Sequence, residues 1–155
     1  MLETILLVAV ASSIGVDAHM ITIESDNAVF SGYENRYEWN GNVLMTQDVY
    51  TLNARTVIVY LNDLGEPCKV TAVGEPLKAF GPYKGEDATV SGEVILYDCE
   101  QNKVRIERNA KLNFPSEAMS LSADNIIYDL IEKSVHATGS QNSKRVELRI
   151  DPAKP

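Results

Sequence analysis

One eight-residue pattern occurs four times along this 155-residue chain. Each copy begins with an aliphatic residue, has a small residue at its third position and ends with an apolar or aromatic residue. The copies are residues 23–30, 52–59, 90–97 and 121–128. Each is followed by a segment in which apolar and polar residues alternate, and these segments are 37–43, 70–74, 104–110 and 135–139. A repeat made of two strand-like halves predicts stacked β rungs that share one continuous core.

The inward-facing positions shift by one residue inside each copy. The shifts fall at 26–27, 55–56, 93–94 and 124–125. A one-residue shift turns every later side chain to the opposite face unless the strand bends or bulges there. We therefore predict a corner in every rung, so that the sheet folds into two facing layers. Asp26, Glu93 and Asp124 occupy the same repeat position, which favours hydrogen bonding at the corner over catalysis.

The repeat also predicts which side chains point inward. One inward column contains Ile23, Leu52, Val90 and Leu121, a second contains Phe30, Val59, Tyr97 and Tyr128, and a third contains Trp39, Ala72, Ile106 and Ala137. Only the segment 121–133 also has apolar residues at helical spacing. Its match to the other copies favours a strand.

The first 18 residues differ from the rest of the chain. An apolar run at 5–16 is shorter than the roughly 20 residues that a helix needs to span a bilayer, and Val16 and Ala18 occupy the two positions that a signal peptidase reads. This pattern predicts a secretory signal peptide, residues 1–18, that is cleaved after Ala18, although no Lys or Arg precedes the apolar run. The mature part, residues 19–155, is predicted to be one domain.

The charge of the chain excludes some functions. The formal net charge is −8, and removal of Glu3 and Asp17 with the signal leaves −6. An acidic protein without a Lys/Arg cluster in its sequence is poorly suited to nucleic acid, which is bound mainly through phosphates. A lipid would have to be recognised through its apolar part. The sequence contains no nucleophile elbow, phosphate loop, zinc motif or dinucleotide fingerprint.

The two cysteines, Cys68 and Cys99, are both predicted to point inward. In an exported chain they are either two buried thiols that act as small apolar residues or a disulfide between neighbouring rungs. A metal site is not favoured, because the sequence has no Cys-x-x-Cys motif and no histidine in phase with either cysteine.

The two ends of the stack are predicted to be open. Unpaired strand edges invite another strand to join them. The predicted edge residues for self-association are Ile21, Ile23, Val146, Leu148 and Ile150.

Several short segments, taken in order, are characteristic. They are Ile23-Glu-Ser-Asp26, Gly41-Asn-Val43 with Thr46-Gln47, Asn53-Ala-Arg55, Gly74-x-Pro76 and Lys144-Arg145-Val146. Together they resemble the LptA (OstA-like) family over about residues 21–150. The resemblance implies an all-β fold, an open and slightly twisted β-jellyroll of stacked antiparallel β rungs.

The resemblance also implies a function. Members of the family are expected to act in the periplasm as carriers of lipopolysaccharide, with the acyl chains of lipid A in an apolar groove. They are expected to be non-enzymatic, to need no cofactor, to assemble head to tail, and to connect an LptC-like inner-membrane protein to an LptD-like outer-membrane protein.

Carried onto this sequence, the resemblance and the inward columns together predict a set of lipid-binding residues. These are Ile21, Ile23, Phe30, Trp39, Phe80, Tyr97, Cys99 and Tyr128, with Ala79 as the alternative to Phe80. The chain departs from the family pattern at Arg55, where an Asp is usual, at Arg108, where a Gly is usual, and at Cys99, which takes an aliphatic position.

Three other functions fit parts of the pattern. A polymerising structural scaffold would share the open edges but would have a closed core and no lipid cargo. An LptC-like, membrane-tethered member of the same pathway would keep its N-terminal segment as an anchor. A β-helical protein that acts on polysaccharide would place its aromatic residues outward, whereas the aromatic residues here are predicted to face inward.

Overall fold

A computed structural model describes residues 21–47, 49–83, 85–139 and 145–152. The predicted signal peptide, 1–18, lies outside the described residues. The strands are β1 (Ile21–Glu24), β2 (Asn27–Ser31), β3 (Arg36–Gln47), β4 (Tyr50–Leu61), β5 (Pro67–Tyr83), β6 (Glu86–Asp98), β7 (Lys103–Phe114), β8 (Met119–Asp129), β9 (Ser134–Thr138) and β10 (Glu147–Ile150), and a 3₁₀ turn spans Pro115–Glu117. None of the helical structure among these residues has the length and apolar character that crossing a membrane requires.

All ten strands belong to one antiparallel sheet with the order β1-β3-β4-β5-β6-β7-β8-β10, in which β2 also pairs with β3 and β9 with β8. Strands β1 and β2 are therefore two halves of the first rung, and β9 and β10 are two halves of the last. Residues 119–129 form strand β8, as the repeat predicted in spite of the helical spacing. The all-β, open β-jellyroll fold predicted from the sequence is confirmed.

Each full-length rung is interrupted near its middle. The pairing is irregular between Asn40 and Val43, between Asn53 and Thr56, and at three further places, Val73/Leu77, Ser91/Val94 and Glu107/Ala110. These interruptions coincide with the predicted shifts at 55–56 and 93–94, and Asp124 lies opposite the irregular stretch of β7. They form the corner, which divides the sheet into two layers.

The two layers are named here by their turns. The first layer ends at the turns 32–35, 62–66, 99–102 and 130–133, which form the first rim. The second layer ends at the turns between β3 and β4, β5 and β6, and β7 and β8, which form the second rim. Buried residues of both layers belong to one hydrophobic cluster, so the layers pack face to face. No strand pairing among the described residues joins the two rims.

Acidic side chains accept hydrogen bonds at the corner, as predicted for Asp26 and Glu93. The Asn42 amide donates a hydrogen bond to Asp26 Oδ2 at 2.9 Å, and the Asn109 amide donates one to Glu93 at 3.4 Å. Asn42 and Asn109 both have positive φ, 49° and 55°, a conformation that asparagine tolerates better than most residues. The side chains therefore serve the bend itself.

Most residues of the predicted inward columns are buried or half-buried, and the exposed one lies in the first rung. Leu52, Val59, Ala72, Val90, Ile106 and Tyr128 are buried, whereas Ile23, Trp39, Tyr97, Leu121 and Ala137 are half-buried against the core. Phe30, in the first rung, is 63% exposed. Its rung has a neighbour on one side only, so a side chain in the inward phase still meets solvent there.

Candidate functional site

The candidate site is the apolar inner face of the sheet, which continues from the first rung to the last. Residues directly opposite each other on neighbouring strands point to the same face. In the first layer one continuous column contains Phe30, Tyr37, Val59, Val70, Tyr97, Val104, Tyr128 and Val135. In the second layer another contains Ile23, Met45, Leu52, Ala79, Val90, Leu112, Leu121 and Leu148. Both columns are apolar or aromatic throughout.

The interior is packed with its own side chains in this conformation. Val57, Val90, Val104 and Phe114 are completely buried. One surface cavity, of about 430 Å³, lies at the first rim and is lined by Tyr60, Leu61, Asn62, Cys68, Lys69 and Glu100. A ligand as large as an acyl chain would therefore enter the interior only if the layers separate or if it binds where the packing is incomplete, at the ends.

Three aromatic rings lie at the N-terminal end of the inner face. Phe30 on β2 and Tyr37 and Trp39 on β3 contact each other edge to face, with ring centroids 5.4, 6.0 and 6.2 Å apart. Aromatic pairs favour this geometry. Because Phe30 and Tyr37 remain partly exposed, this aromatic group offers an apolar surface at the open end.

Tyr97 lies in the inner column at the middle of the stack, between Val70 and Val104. Burial raises the pKa of its phenol, and the negative charge of the adjacent Asp98 raises that pKa further. The raised pKa keeps the Tyr97 phenol uncharged to higher pH than an ordinary tyrosine, which suits a surface that contacts apolar groups.

The register corrects one predicted site residue. Phe80 pairs with Thr51 and Thr89 and so lies on the outer face, which makes its assignment to the groove wrong. Ala79, the alternative, is the inward residue and is 1% exposed. The inward phase is displaced there because the bulge in β5 leaves three residues, 74–76, between the pairs of Val73 and Leu77.

Five of the other predicted residues lie on the inner face. Ile23, Phe30, Trp39, Tyr97 and Tyr128 all lie in the inward phase. Ile21 pairs with Gln47 at the second rim, and its side chain is not among those described. Whether any of them binds lipid stays a prediction.

Cys99 was predicted both as a lipid-binding residue, which stays a prediction, and as a possible disulfide partner of Cys68. It forms a disulfide with Cys68, with the two Cα atoms 4.9 Å apart, and its N–H donates a hydrogen bond to the Cys68 carbonyl at 2.8 Å. The structure thus has the second of the two alternatives that the sequence left open. Asp98 lies near both sulfurs in a spacing that could suit a metal ion, but the disulfide engages the sulfur of each cysteine.

The edges of the first and last rungs are exposed strands. Within the part of the chain that the structure describes, β1 and β2 at one end and β9 and β10 at the other have a strand neighbour on one side only. Apolar side chains are exposed at both: Val29 and Phe30 at the first, Val135, Val146, Leu148 and Ile150 at the second. The predicted C-terminal edge strand begins at Glu147, so Val146 lies just before it.

Sequence reasoning missed one group. Lys69, Lys103 and Arg105 lie together on the outer face of the first layer, around a shallow cavity. Lys69 is 34 positions before Lys103 in the sequence, so a search for charge runs does not find the group. Only the register of β5, β6 and β7 does.

Comparisons with known proteins agree with this architecture. A family model described as LptA/(LptD N-terminal domain) LPS transport protein matches residues 22–134. The lipopolysaccharide export system protein LptH of Pseudomonas aeruginosa is 29% identical over 142 residues, which cover 86% of this chain and 80% of that protein. The crystal structure of LptH, the LptA-homologous periplasmic component of the lipopolysaccharide transport device of that organism, matches with a TM-score of 0.70 at 23% identity, over 91% of this chain and 99% of that chain.

Proposed function

The chain belongs to the LptA/LptD N-terminal domain family of lipopolysaccharide transport proteins, and from this we propose that it carries lipopolysaccharide across the periplasm with the lipid A acyl chains against its inner face. LptH is described as a periplasmic component of such a device. The proposal assigns this chain the same compartment and no enzymatic step.

The observation that carries the proposal is the unbroken apolar inner face. One column of aliphatic and aromatic side chains runs from Phe30 to Val135, and another runs from Ile23 to Leu148. Removing one methylene from water contributes roughly 0.8 kcal/mol, so a few acyl chains supply ample binding energy without any charged contact. A face that is continuous along the stack lets a lipid move from rung to rung between similar surroundings.

Loading requires the two layers to separate. Pairing across the sheet is interrupted at the corner, and the rims are not joined by strand pairing in the described residues. Opening at the rims therefore breaks no ladder hydrogen bonds. It exposes apolar surface, and the acyl chains then cover that surface again.

Assembly follows from the direction of the end rungs. The first rung, β1–β2, and the last, β9–β10, run in opposite directions, so that two copies stacked in the same orientation would join through antiparallel strands. Continuing the columns places Val135 of one copy beside Phe30 of the next, and Leu148 beside Ile23. The inner face would then continue through the joint. The same edges would accept LptC-like and LptD-like partners at the two ends of a bridge.

The packed interior is the one observation that favours the second candidate, a polymerising scaffold without lipid. The two candidates differ in lipid binding and agree in assembly. Deleting residues 146–155 should abolish self-association in either case, and unchanged oligomers in analytical ultracentrifugation would show that the C-terminal edge is not the contact.

Native mass spectrometry of residues 19–155 with purified lipopolysaccharide tests the carrier function. We expect a bound lipid that is lost in Tyr97→Glu, because a carboxylate on the inner face has no partner there and must be desolvated by the acyl chains. Tyr60→Glu is the matched control: Tyr60 lies outward, beside Arg36, and should leave binding intact. A folded Tyr97→Glu protein that binds lipid as the wild type does would contradict the carrier function, and absence of binding to the wild type, with oligomers present, would favour the scaffold.

A further inference from the structure

Three cations from two strands meet on the outer face of the first layer. Lys69 on β5 and Lys103 on β7 both pair with Asp98 on the intervening β6, and Arg105 pairs with Leu96 one row further from the rim. Side chains directly opposite on neighbouring antiparallel strands have Cβ atoms about 4.5–5.5 Å apart, and diagonal neighbours about 7–8 Å. All three cations are therefore within reach of one small anionic group.

These side chains surround a shallow cavity of about 290 Å³. Its lining residues are Lys69, Thr71, Leu96, Tyr97, Asp98, Gln101, Lys103 and Arg105. Lys103 and Arg105 are half-buried, so part of each side chain packs against the sheet, and Lys69 is exposed. A hydroxyl from Thr71 and an amide from Gln101 add hydrogen-bonding groups. We call this surface the basic concavity.

Carboxylates also border the basic concavity: Glu100 lies near Lys69 and Glu107 near Arg105, while Asp98 and Asp129 are engaged in turns. Asp98 Oδ1 accepts a hydrogen bond from the N–H of Glu100 at 2.9 Å. Asp129 Oδ1 accepts from the N–H groups of Glu132 and Ile131, each at 2.9 Å. The bond from Glu132 lowers the pKa of Asp129 most, and Ile131 and the charge of Lys103 lower it further. Asp98 and Asp129 thus accept hydrogen bonds from turn N–H groups, and the three cations are the groups of this surface that attract an added anion.

The basic concavity lies on the outer face of the same strands that carry the inner apolar column. Tyr97, between Leu96 and Asp98, is on the opposite face of the same strand, in the inner apolar column. Lys69 lies two residues from the start of β5 at the first rim, about 7 Å at 3.3–3.4 Å per residue. An amphiphile with its apolar chains on the inner face could therefore place its polar head over the first rim and onto the outer face.

The second layer offers a comparison on the same three strands. Lys78 on β5 and Lys111 on β7 flank Ser91 on β6, so the pair has the spacing of Lys69 and Lys103. Both lysines of this second pair are exposed, and the outward row beside them, Phe80, Thr89 and Asn113, contains no third cation.

We propose that the basic concavity binds the phosphate group of a phosphorylated saccharide, the head of the lipid whose acyl chains occupy the inner face. The proposal rests on the proposed function for the lipid and adds a second, polar subsite to it. Arginine and lysine form charge-assisted hydrogen bonds with phosphate, which at neutral pH carries more charge than a carboxylate. That additional charge lets phosphate overcome the repulsion from Asp98 and Asp129.

The test compares diphosphoryl and monophosphoryl lipid A, titrated in native mass spectrometry against the wild type, Lys69→Gln/Lys103→Gln and the matched control Lys78→Gln/Lys111→Gln. We expect the wild type to bind the diphosphoryl form about tenfold more tightly, the first variant to lose this preference, and the control to keep it. Adding Arg105→Gln to the first variant should lower binding of the diphosphoryl form further. Circular dichroism melting curves confirm that all variants are folded, since the substituted side chains all point outward.

The remaining outcomes separate the possible explanations. Equal loss of preference in both double variants would reduce the effect to overall charge and overturn the proposal, as would a wild type that does not distinguish the two lipids. Calorimetry with inorganic phosphate and with the acyl-free disaccharide bisphosphate distinguishes the two sources: equal affinity of the wild type for both would assign the site to free phosphate instead. If neither lipid binds the wild type, the carrier function fails. The basic concavity is then tested by calorimetry with the acyl-free disaccharide bisphosphate. Binding that is abolished in Lys69→Gln/Lys103→Gln would support the phosphate site, and absence of binding to the wild type would overturn it.

Discussion

The middle rungs and the end rungs use similar residues for different purposes. Val90 and Val104, in the middle, are completely buried, whereas Phe30 and Ile150, in the same inward phases at the two ends, are 63% and 62% exposed. A middle rung has a paired neighbour on each side, and an end rung has one. The position of a rung in the stack, rather than the type of residue, therefore determines whether an apolar side chain stabilises the monomer or is available to a partner.

The largest expected difference is between two phenylalanines. Phe114→Ala removes a fully buried ring and should lower the free energy of unfolding by roughly 3–5 kcal/mol. Phe30→Ala should lower it by less than about 1 kcal/mol, because that ring is mostly exposed in the monomer, and should weaken self-association instead. Urea unfolding and sedimentation of both variants measure the two effects. Similar losses of stability in the two variants would contradict the difference between middle rungs and end rungs.

The disulfide strengthens the middle of the stack at the first rim. Cys68 and Cys99 are 31 residues apart, and in the chain-entropy view a crosslink of this span stabilises the folded state by about 2–4 kcal/mol. We expect Cys68→Ser/Cys99→Ser to lower the free energy of unfolding by that amount while head-to-tail association is unchanged, since neither cysteine lies at an end. Calorimetry with and without a reductant provides the measurement, and a reductant that changes nothing would mean that the bridge does not stabilise the fold.

Two glycines, one at the corner of a middle rung and one in the turn of the first rung, are expected to differ by a smaller amount. A Cβ added to Gly92, in a middle rung, would lie 2.7 Å from Ile106 Cγ2, whereas one added to Gly32, in the turn of the first rung, would meet no atom within 4 Å. Gly92→Ala should therefore cost about 1–3 kcal/mol through overpacking, and Gly32→Ala should be close to neutral. Thermal melting of the two variants measures this difference. A Gly92→Ala protein as stable as the wild type would show that the layers can move apart at the corner.

The smallest effect is expected at the surface of the corner. Arg55 Nη1 lies 3.3 Å from Glu75 Oε1, with both side chains more than half exposed. Exposed ion pairs of this kind contribute at most about 1 kcal/mol, so Arg55→Gln should change the free energy of unfolding by less than about 0.5 kcal/mol in low salt and less still in high salt. A larger loss in urea titrations would indicate that the pair holds the bend.

The sequence allowed the rungs, the corner and the inner columns to be predicted, because each depends on periodicity. Phe80 was misplaced because the phase after the bulge at 74–76 depends on how many residues the bulge holds, and only the register with Ser91 and Val90 settles that number. The basic concavity was missed for a related reason. Its cations come from different strands, so their proximity is a property of pairing and not of local sequence.

The number of rungs determines the direction of the last rung relative to the first. In the part of the chain that the structure describes, strands β1 and β2 form one rung, β9 and β10 another, and β3 to β8 are six more, which makes an even number. Alternating directions over an even number bring the last rung back antiparallel to the first, so a copy can follow another by translation and twist, without being turned over. A filament made in this way would be polar: one end always presents β1–β2 and the other β9–β10. A chain with one rung fewer would meet its successor in parallel and would lose the ladder pattern that its own interior uses.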